Sequence, residues 1–512
     1  MGKNTSVFIV LLISLITLIT GINVFFFVAD NGIGVSPDSV AYIKTAESLL
    51  AGNGFYYFDE PLIHFPPLYP LLLAGSAIFS QNVTISAEWL HGILYGLNAL
   101  LFGLAIFFST RRSLVAMVLG ILLFFSLQAL LRIHAIALSE PPFLTFALIL
   151  YIALGFYIKE RKWNWLIITS LVVGFSLVTR YIGIVFVPVT ALFLLINNNH
   201  PFKLRIRDFI VFLFISFLPL GLWLTRNYFL AQSATNRVFE SHPITSSHIV
   251  TLVNNVHSFF LPQFKSSRAN GFELLLLVIL MVYMLIKIMN SSPNLSKLDP
   301  YRLYWMSFGF VFCAMYTIFL FFSISFYDFS TPLDYRFVFP LILFLNISFF
   351  SCVYDYAHTQ KAAKTWLVLI VFTILIARFN LPSMIETARW YNSSGIGYNS
   401  LYWKNSPTIL VLRQYPTRTR IFTNEFPGVQ FQTKLHVIGL PIKFDRTSTK
   451  PNPQFEDEMK AMCTEINQGE ALYVYVGESR ENQPSMNEVL ETCSPQLLFS
   501  LEDGSIYGEF KP

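Results

Sequence analysis

The chain has 512 residues, 54% of them hydrophobic and only 13% charged, with a net charge of +5. Soluble domains are roughly a quarter charged, so so few charges could not cover a water-facing surface of this size. With no Lys/Arg block, no glycine-rich phosphate loop, no Rossmann fingerprint and no HExxH pair, nucleic-acid binding, ATP-driven transport and zincin chemistry are without support.

Apolar runs of about twenty residues, the length a helix needs to cross a bilayer, recur from the start. They predict eleven spanning helices: 6–28, 87–109, 113–131, 138–158, 163–178, 181–196, 207–229, 271–289, 303–323, 335–353 and 365–380. The first has no small-residue cleavage site after it and reads as a retained signal anchor. The shorter apolar stretch 67–80 follows two prolines and reads as re-entrant or juxtamembrane. With a cytoplasmic N-terminus, this count puts Arg111–Arg112, Lys159/Arg161/Lys162, Lys203/Arg205/Arg207, Lys287/Lys297/Arg302 and Lys361/Lys364 on one side. Such one-sided clustering is what the positive-inside rule requires, and a span at 67–80 would break it. The expectation is a polytopic α-helical membrane protein of the plasma membrane, with loops 29–66 and 230–270 outside.

From residue 383 the composition becomes that of a soluble domain. RTRIFTN, ALYVYVG, QLLFSL and SIYGEF read as strands, and EDEMKAMCTEINQ and SMNEVLETC as helices. The expected organisation is a transmembrane catalytic domain, 1–382, and a small extracytoplasmic α/β domain, 383–512. Cys463 and Cys493 lie in the latter and could pair if it is outside; Cys313 and Cys352 lie in apolar runs and read as inert.

The candidate chemistry collects on the outer side. SPDSVAYIKTAESLLAG reads as a short helix with Ser36 as N-cap, Pro37 at the first position and Asp38 in the first turn. Asp38 can be a capping carboxylate or a functional acid at the membrane surface. Arg132, Arg180, Arg226 and Arg336 all fall at outer ends of spans. Each can snorkel or pair with a structural carboxylate, as Arg336 can with Asp334, or can bind a phosphate. Glu140, between Ser139 and two prolines, can be a helix-start carboxylate or a second active-site acid.

Asp38-Ser39-x-x-Tyr42, Gly52-x-Gly54-Phe55 and His64-x-Pro66-Pro67-Leu68-Tyr69-Pro70-Leu71 resemble the first outer loop of GT-C glycosyltransferases. The nearest likeness is to the family 39-type set of protein O-mannosyltransferases and lipid A aminoarabinose transferases. Where many members carry a second acid, this chain has Ser39; where some carry Glu-Lys, it has His64-Phe65. LSEPPFLTFAL, LVTRYIGIVFVP, WLTRNYF, DYRFVFPL and TNEFPGV, in that order, are similar to later family landmarks.

The resemblance implies a GT-C fold and transfer of a sugar from a polyprenyl-phosphate donor to an extracytoplasmic glycan, lipid or protein. It implies Asp38 as the catalytic carboxylate. Chemistry of that kind suits Glu140 as a further acid, Arg180, Arg336 and Arg226 as donor-phosphate ligands, and Tyr42, His64, Tyr69 and Tyr181 as substrate contacts. No metal spacing is present, and no cofactor is required, although Asp38 and Glu140 could share a divalent cation. The rival readings are a lipid-linked glycan flippase and a non-catalytic assembly protein. A flippase would need charge through the bundle's midplane, and the spans carry almost none.

Overall fold

The computed structural model describes residues 3–58, 60–78, 80–196, 201–260, 268–275, 299–359, 365–433 and 435–509. Its first part is helical: α1 (Lys3–Val28), α2 (Pro37–Leu50), α3 (Leu68–Ala77), α4 (Val83–Ser109), α5 (Leu114–Ser126), α6 (Gln128–His134), α7 (Glu140–Glu160) and α8 (Trp163–Thr179). A 3₁₀ turn at Tyr181–Val185 leads into α9 (Phe186–Ile196), then α10 (Phe202–Ala231) and α11 (Ser246–Ser258). Three long helices follow: α12 (Pro300–Phe326), α13 (Tyr335–Thr359) and α14 (Thr365–Ser394).

Seven of these helices are long and apolar enough to cross a membrane, and α5 with α6 makes an eighth if counted as one bent span. The protein is therefore a multi-pass membrane protein. Trp163–Thr179 and Tyr181–Ile196 are shorter apolar helices, as is Leu68–Ala77. The expected span at 271–289 lies outside the described residues from 276 onward.

One expected span, 113–131, is not straight. α5 and α6 meet at 68°, across Leu127 in extended conformation. Buried His134 on α6 is satisfied by the Leu130 carbonyl of its own turn and by Asn98 of α4. A second difference is at α14, which runs on through Pro382 to Ser394. At 1.5 Å per residue its thirty residues exceed a bilayer core of about 30 Å, so its polar last turns project toward the C-terminal domain.

That domain is built on one five-stranded sheet. β3 (Arg420–Thr423), β4 (His436–Gly439), β5 (Ala471–Val476), β6 (Leu497–Leu501) and β7 (Gly504–Tyr507) lie in the order β4-β3-β5-β7-β6. β3 pairs in parallel with β4 and β5, and β7 runs antiparallel between β5 and β6. The four strands and two helices read from sequence are present; β4 was not among them, nor was the small hairpin of β1 (Tyr56–Tyr57) and β2 (Glu60–Pro61). Helices Phe455–Asn467 and Met486–Cys493 pack together, joined by the Cys463–Cys493 disulfide.

The junction between the two parts positions the first outer loop. Gly34 bridges to Ile136 and Val35 to Gly397, so this segment is gripped between the α6–α7 connection and the start of the C-terminal domain. Gly397 has φ +58°, and a Cβ there would strike the Val35 carbonyl. Asn399 donates to the Ile33 carbonyl at 2.8 Å and Lys404 to the Asn31 carbonyl at 2.8 Å. The residues that open α2 follow immediately.

Candidate active site

The start of α2 resolves what Asp38 is free to do. Ser36 is the cap: its hydroxyl accepts from the Ser39 amide, and the Ser39 hydroxyl accepts from the Ser36 amide. The Asp38 carboxylate is thereby released from capping. It faces Arg336, whose Nη1 lies 3.5 Å from Oδ2. Arg336 is oriented by Asp334, which takes its Nε at 3.2 Å and its backbone amide at 2.8 Å.

A second ion pair lies behind the first. Arg180 breaks the chain between α8 and the 3₁₀ turn in extended conformation. Its Nη1 reaches Glu140 Oε1 at 2.5 Å and lies 3.4 Å from Ser139 Oγ. Only 3% of the Glu140 side chain is exposed, and its Oε2 has no hydrogen-bond partner. The Tyr42 hydroxyl lies 3.4 Å from the same Ser139. Asp38, Glu140, Arg180, Arg336 and His64 are close enough for their charges to act on one another.

Asp38 is half-buried, with 43% of its side chain exposed. Partial desolvation raises its carboxyl above the ordinary range; Arg336 opposes that shift and Glu140 adds to it. A carboxylate so shifted is a stronger base than one in water. Burial weakens the charge of Arg180, but Glu140 outweighs it and holds the guanidinium protonated. Burial lowers His64 below the usual imidazole range. Its electrostatic neighbours include Arg237, Asp328 and, from the C-terminal domain, Asp445.

Beneath the ion pairs lies a buried polar chain. The Tyr69 hydroxyl is hydrogen-bonded to His91 Nε2 at 2.7 Å, and His91 Nδ1 donates to the His134 carbonyl at 2.9 Å. His134 Nδ1 donates to the Leu130 carbonyl, while its Nε2 accepts from Asn98 at 3.0 Å. Asn98 also donates to the Pro141 carbonyl at 3.0 Å. Because carbonyls only accept, these bonds place a proton on Nδ1 of each imidazole. The chain fastens α6 to the first turn of α7, and so fixes where Glu140 stands.

The expected site residues therefore divide. Asp38, Glu140, Arg180 and Arg336 converge, with Tyr42 against them and His64 nearby. Tyr69 is fully buried under Tyr42, edge to face at 4.9 Å, with its hydroxyl engaged by His91. Tyr181 lies 3.4 Å from the Ile63 carbonyl and accepts from Trp223. Arg226 spends its donors on the Leu62 and Phe55 carbonyls, at 2.8 and 2.9 Å, and holds the hairpin loop in place. Sequence reading did not find Arg237, His91, His134 or Asn98, because each is a lone polar residue whose partners are remote in sequence.

Asp38 and Glu140, the pair offered to a divalent cation, are each matched to a guanidinium. Among the described residues no group of three or more His, Cys, Asp and Glu could hold a metal ion.

The fold is similar to that of ArnT. ArnT from Cupriavidus metallidurans bound to undecaprenyl phosphate superposes with a TM-score of 0.57 at 12% identity, covering 99% of this chain and 98% of that one. ArnT from the same organism in the apo state gives 0.57 at 14% identity, covering 96% and 97%. No family model matches the sequence. No curated protein matches it either.

Proposed function

We propose that the protein is an inverting membrane glycosyltransferase that moves a sugar from a polyprenyl-phosphate donor to an extracytoplasmic acceptor. The observation that carries this reading is Asp38, released from capping and facing Arg336 beside the Arg180–Glu140 pair. The likeness to a fold whose ArnT representative holds undecaprenyl phosphate supports it. Asp38 takes the proton of the acceptor hydroxyl as that oxygen attacks the anomeric carbon. The bond from that carbon to the donor phosphate breaks, and the charge growing on the departing polyprenyl phosphate falls to Arg336 and Arg180. Glu140 positions Arg180, since its buried carboxylate is held by that guanidinium. Residues 383–512 act as a lid or acceptor-docking module, whose Asp445 is near enough for its charge to act on His64.

The reading places the Asp38 end outside the cell. A topology reporter at Gln454 should report the outside and one at Lys203 the cytoplasm; the reverse would refute the orientation. Activity is tested in proteoliposomes with a panel of undecaprenyl-phosphate-linked sugars, reading released undecaprenyl phosphate. Binding of undecaprenyl phosphate itself is measured in parallel and should weaken in Arg336→Ala. Release by no member of the panel, together with binding that Arg336→Ala leaves unchanged, would overturn the proposal.

A further inference from the structure

α7 and α13 both run from the candidate active site to the opposite end of the bundle. From Glu140 to Lys159, and from Arg336 to Asp355, each helix advances nineteen residues, about 28 Å. That is the thickness of a bilayer core. At the far end a cavity of about 440 Å³ opens between the α4–α5 turn, α7 and α12.

Four cations converge there: Arg111, Arg112, Lys159 and Arg302. One buried carboxylate, Asp355, serves two of them, pairing with Arg111 at 3.0 Å and with Arg302. Asp299 spends its carboxylate capping α12. Arg112 and Lys159 form no ion pair among the described residues, and Lys159 sits 5.3 Å over the Tyr301 ring. Phe108 and Phe156, edge to face at 4.9 Å, give the cavity an apolar wall. Arg111 and Arg112 hold φ of +49° and +66°, a left-handed turn where glycine or asparagine would be ordinary. A general bias toward basic residues at one membrane face needs neither a shared cavity nor that backbone.

We propose that this cavity binds the phosphate of an anionic phospholipid headgroup, in the leaflet opposite the candidate active site. The excess positive charge calls for an anion, guanidinium and ammonium groups suit phosphate oxygens, and the aromatic wall suits the glycerol and first acyl carbons. The depth matches a headgroup, one bilayer core away from Asp38.

The test uses the purified full chain in nanodiscs of phosphatidylcholine doped with phosphatidylglycerol, with retained lipid counted by native mass spectrometry. Wild type should retain phosphatidylglycerol selectively. Arg112→Asn/Lys159→Gln, in which Asn tolerates the left-handed backbone, should retain about 25-fold less, at about fivefold per basic residue. The charge-matched control Lys162→Gln/Lys203→Gln, outside the cavity, should retain as much as wild type. Equal retention by the cavity variant, or an equal loss in the control, would overturn the proposal. Binding of inorganic phosphate that is lost in the cavity variant, without selective phosphatidylglycerol retention, would overturn the lipid assignment.

Discussion

The two ends of α7 and α13 solve opposite electrostatic problems. At the Asp38 end, Arg180 is met by Glu140 and Arg336 by both Asp38 and Asp334, so each guanidinium has at least one carboxylate. At the other end, Asp355 alone answers Arg111 and Arg302, while Arg112 and Lys159 remain uncompensated among the described residues. Matched charge keeps a reacting site preorganised and nearly neutral until a substrate charge arrives. Unmatched positive charge attracts a resident anion. The same residue type, arginine at a helix end, thus has different consequences according to the carboxylates the fold brings to it.

The largest expected effect at the matched end is on chemistry. Asp38→Asn preserves size and leaves the Ser36 cap intact, but the amide cannot take a proton. Sugar transfer should fall by ~10²–10⁴, about 3–5 kcal/mol in barrier, with donor binding nearly unchanged. Retention of more than about a tenth of the rate in proteoliposomes would remove Asp38 from the base role.

Next is stability. Arg180→Ala leaves Glu140 buried without its cation and should cost about 3–5 kcal/mol, read as a lower unfolding midpoint in detergent. The double variant Arg180→Ala/Glu140→Ala should recover much of that loss, because no buried charge is stranded. Arg112→Asn, at the unmatched end, should leave the midpoint unchanged. An equal loss there would erase the distinction between the two ends.

A smaller effect is a shift in pH dependence. Asp38 acts as a base when deprotonated, so activity falls as pH drops through its carboxyl pKa, which partial desolvation raises above the ordinary range. Arg336 holds that pKa down, so in Arg336→Gln the acid limb of the kcat/KM profile should move to higher pH. An unmoved limb would mean that Asp38 and Arg336 are not coupled.

The smallest effect on either end should come from Cys463→Ser/Cys493→Ser. Opening a loop with a sequence separation of 30 costs the C-terminal domain about 3–4 kcal/mol on the chain-entropy view, seen as earlier local proteolysis. Lipid retention at the basic cavity should not change.

Much of this protein is local in sequence and could be read there. Runs of apolar residues long enough to span, the S-P-D helix start, and the alternating strands and helices after residue 383 are short-range patterns, set by helix length and capping chemistry. What could not be read from sequence depends on contacts between distant residues. Asp38 and Arg336 are 298 positions apart, and Arg111 and Asp355 are 244 apart. No periodicity reports such pairings. The Ser36 cap of α2 is a local contact and was legible, but only the tertiary structure could decide that the Asp38 carboxylate meets Arg336. It likewise drew Arg226 onto loop carbonyls and bent α5 from α6. In a low-dielectric interior each buried donor, acceptor and charge must find a partner, and the packed fold settles which partner is within reach.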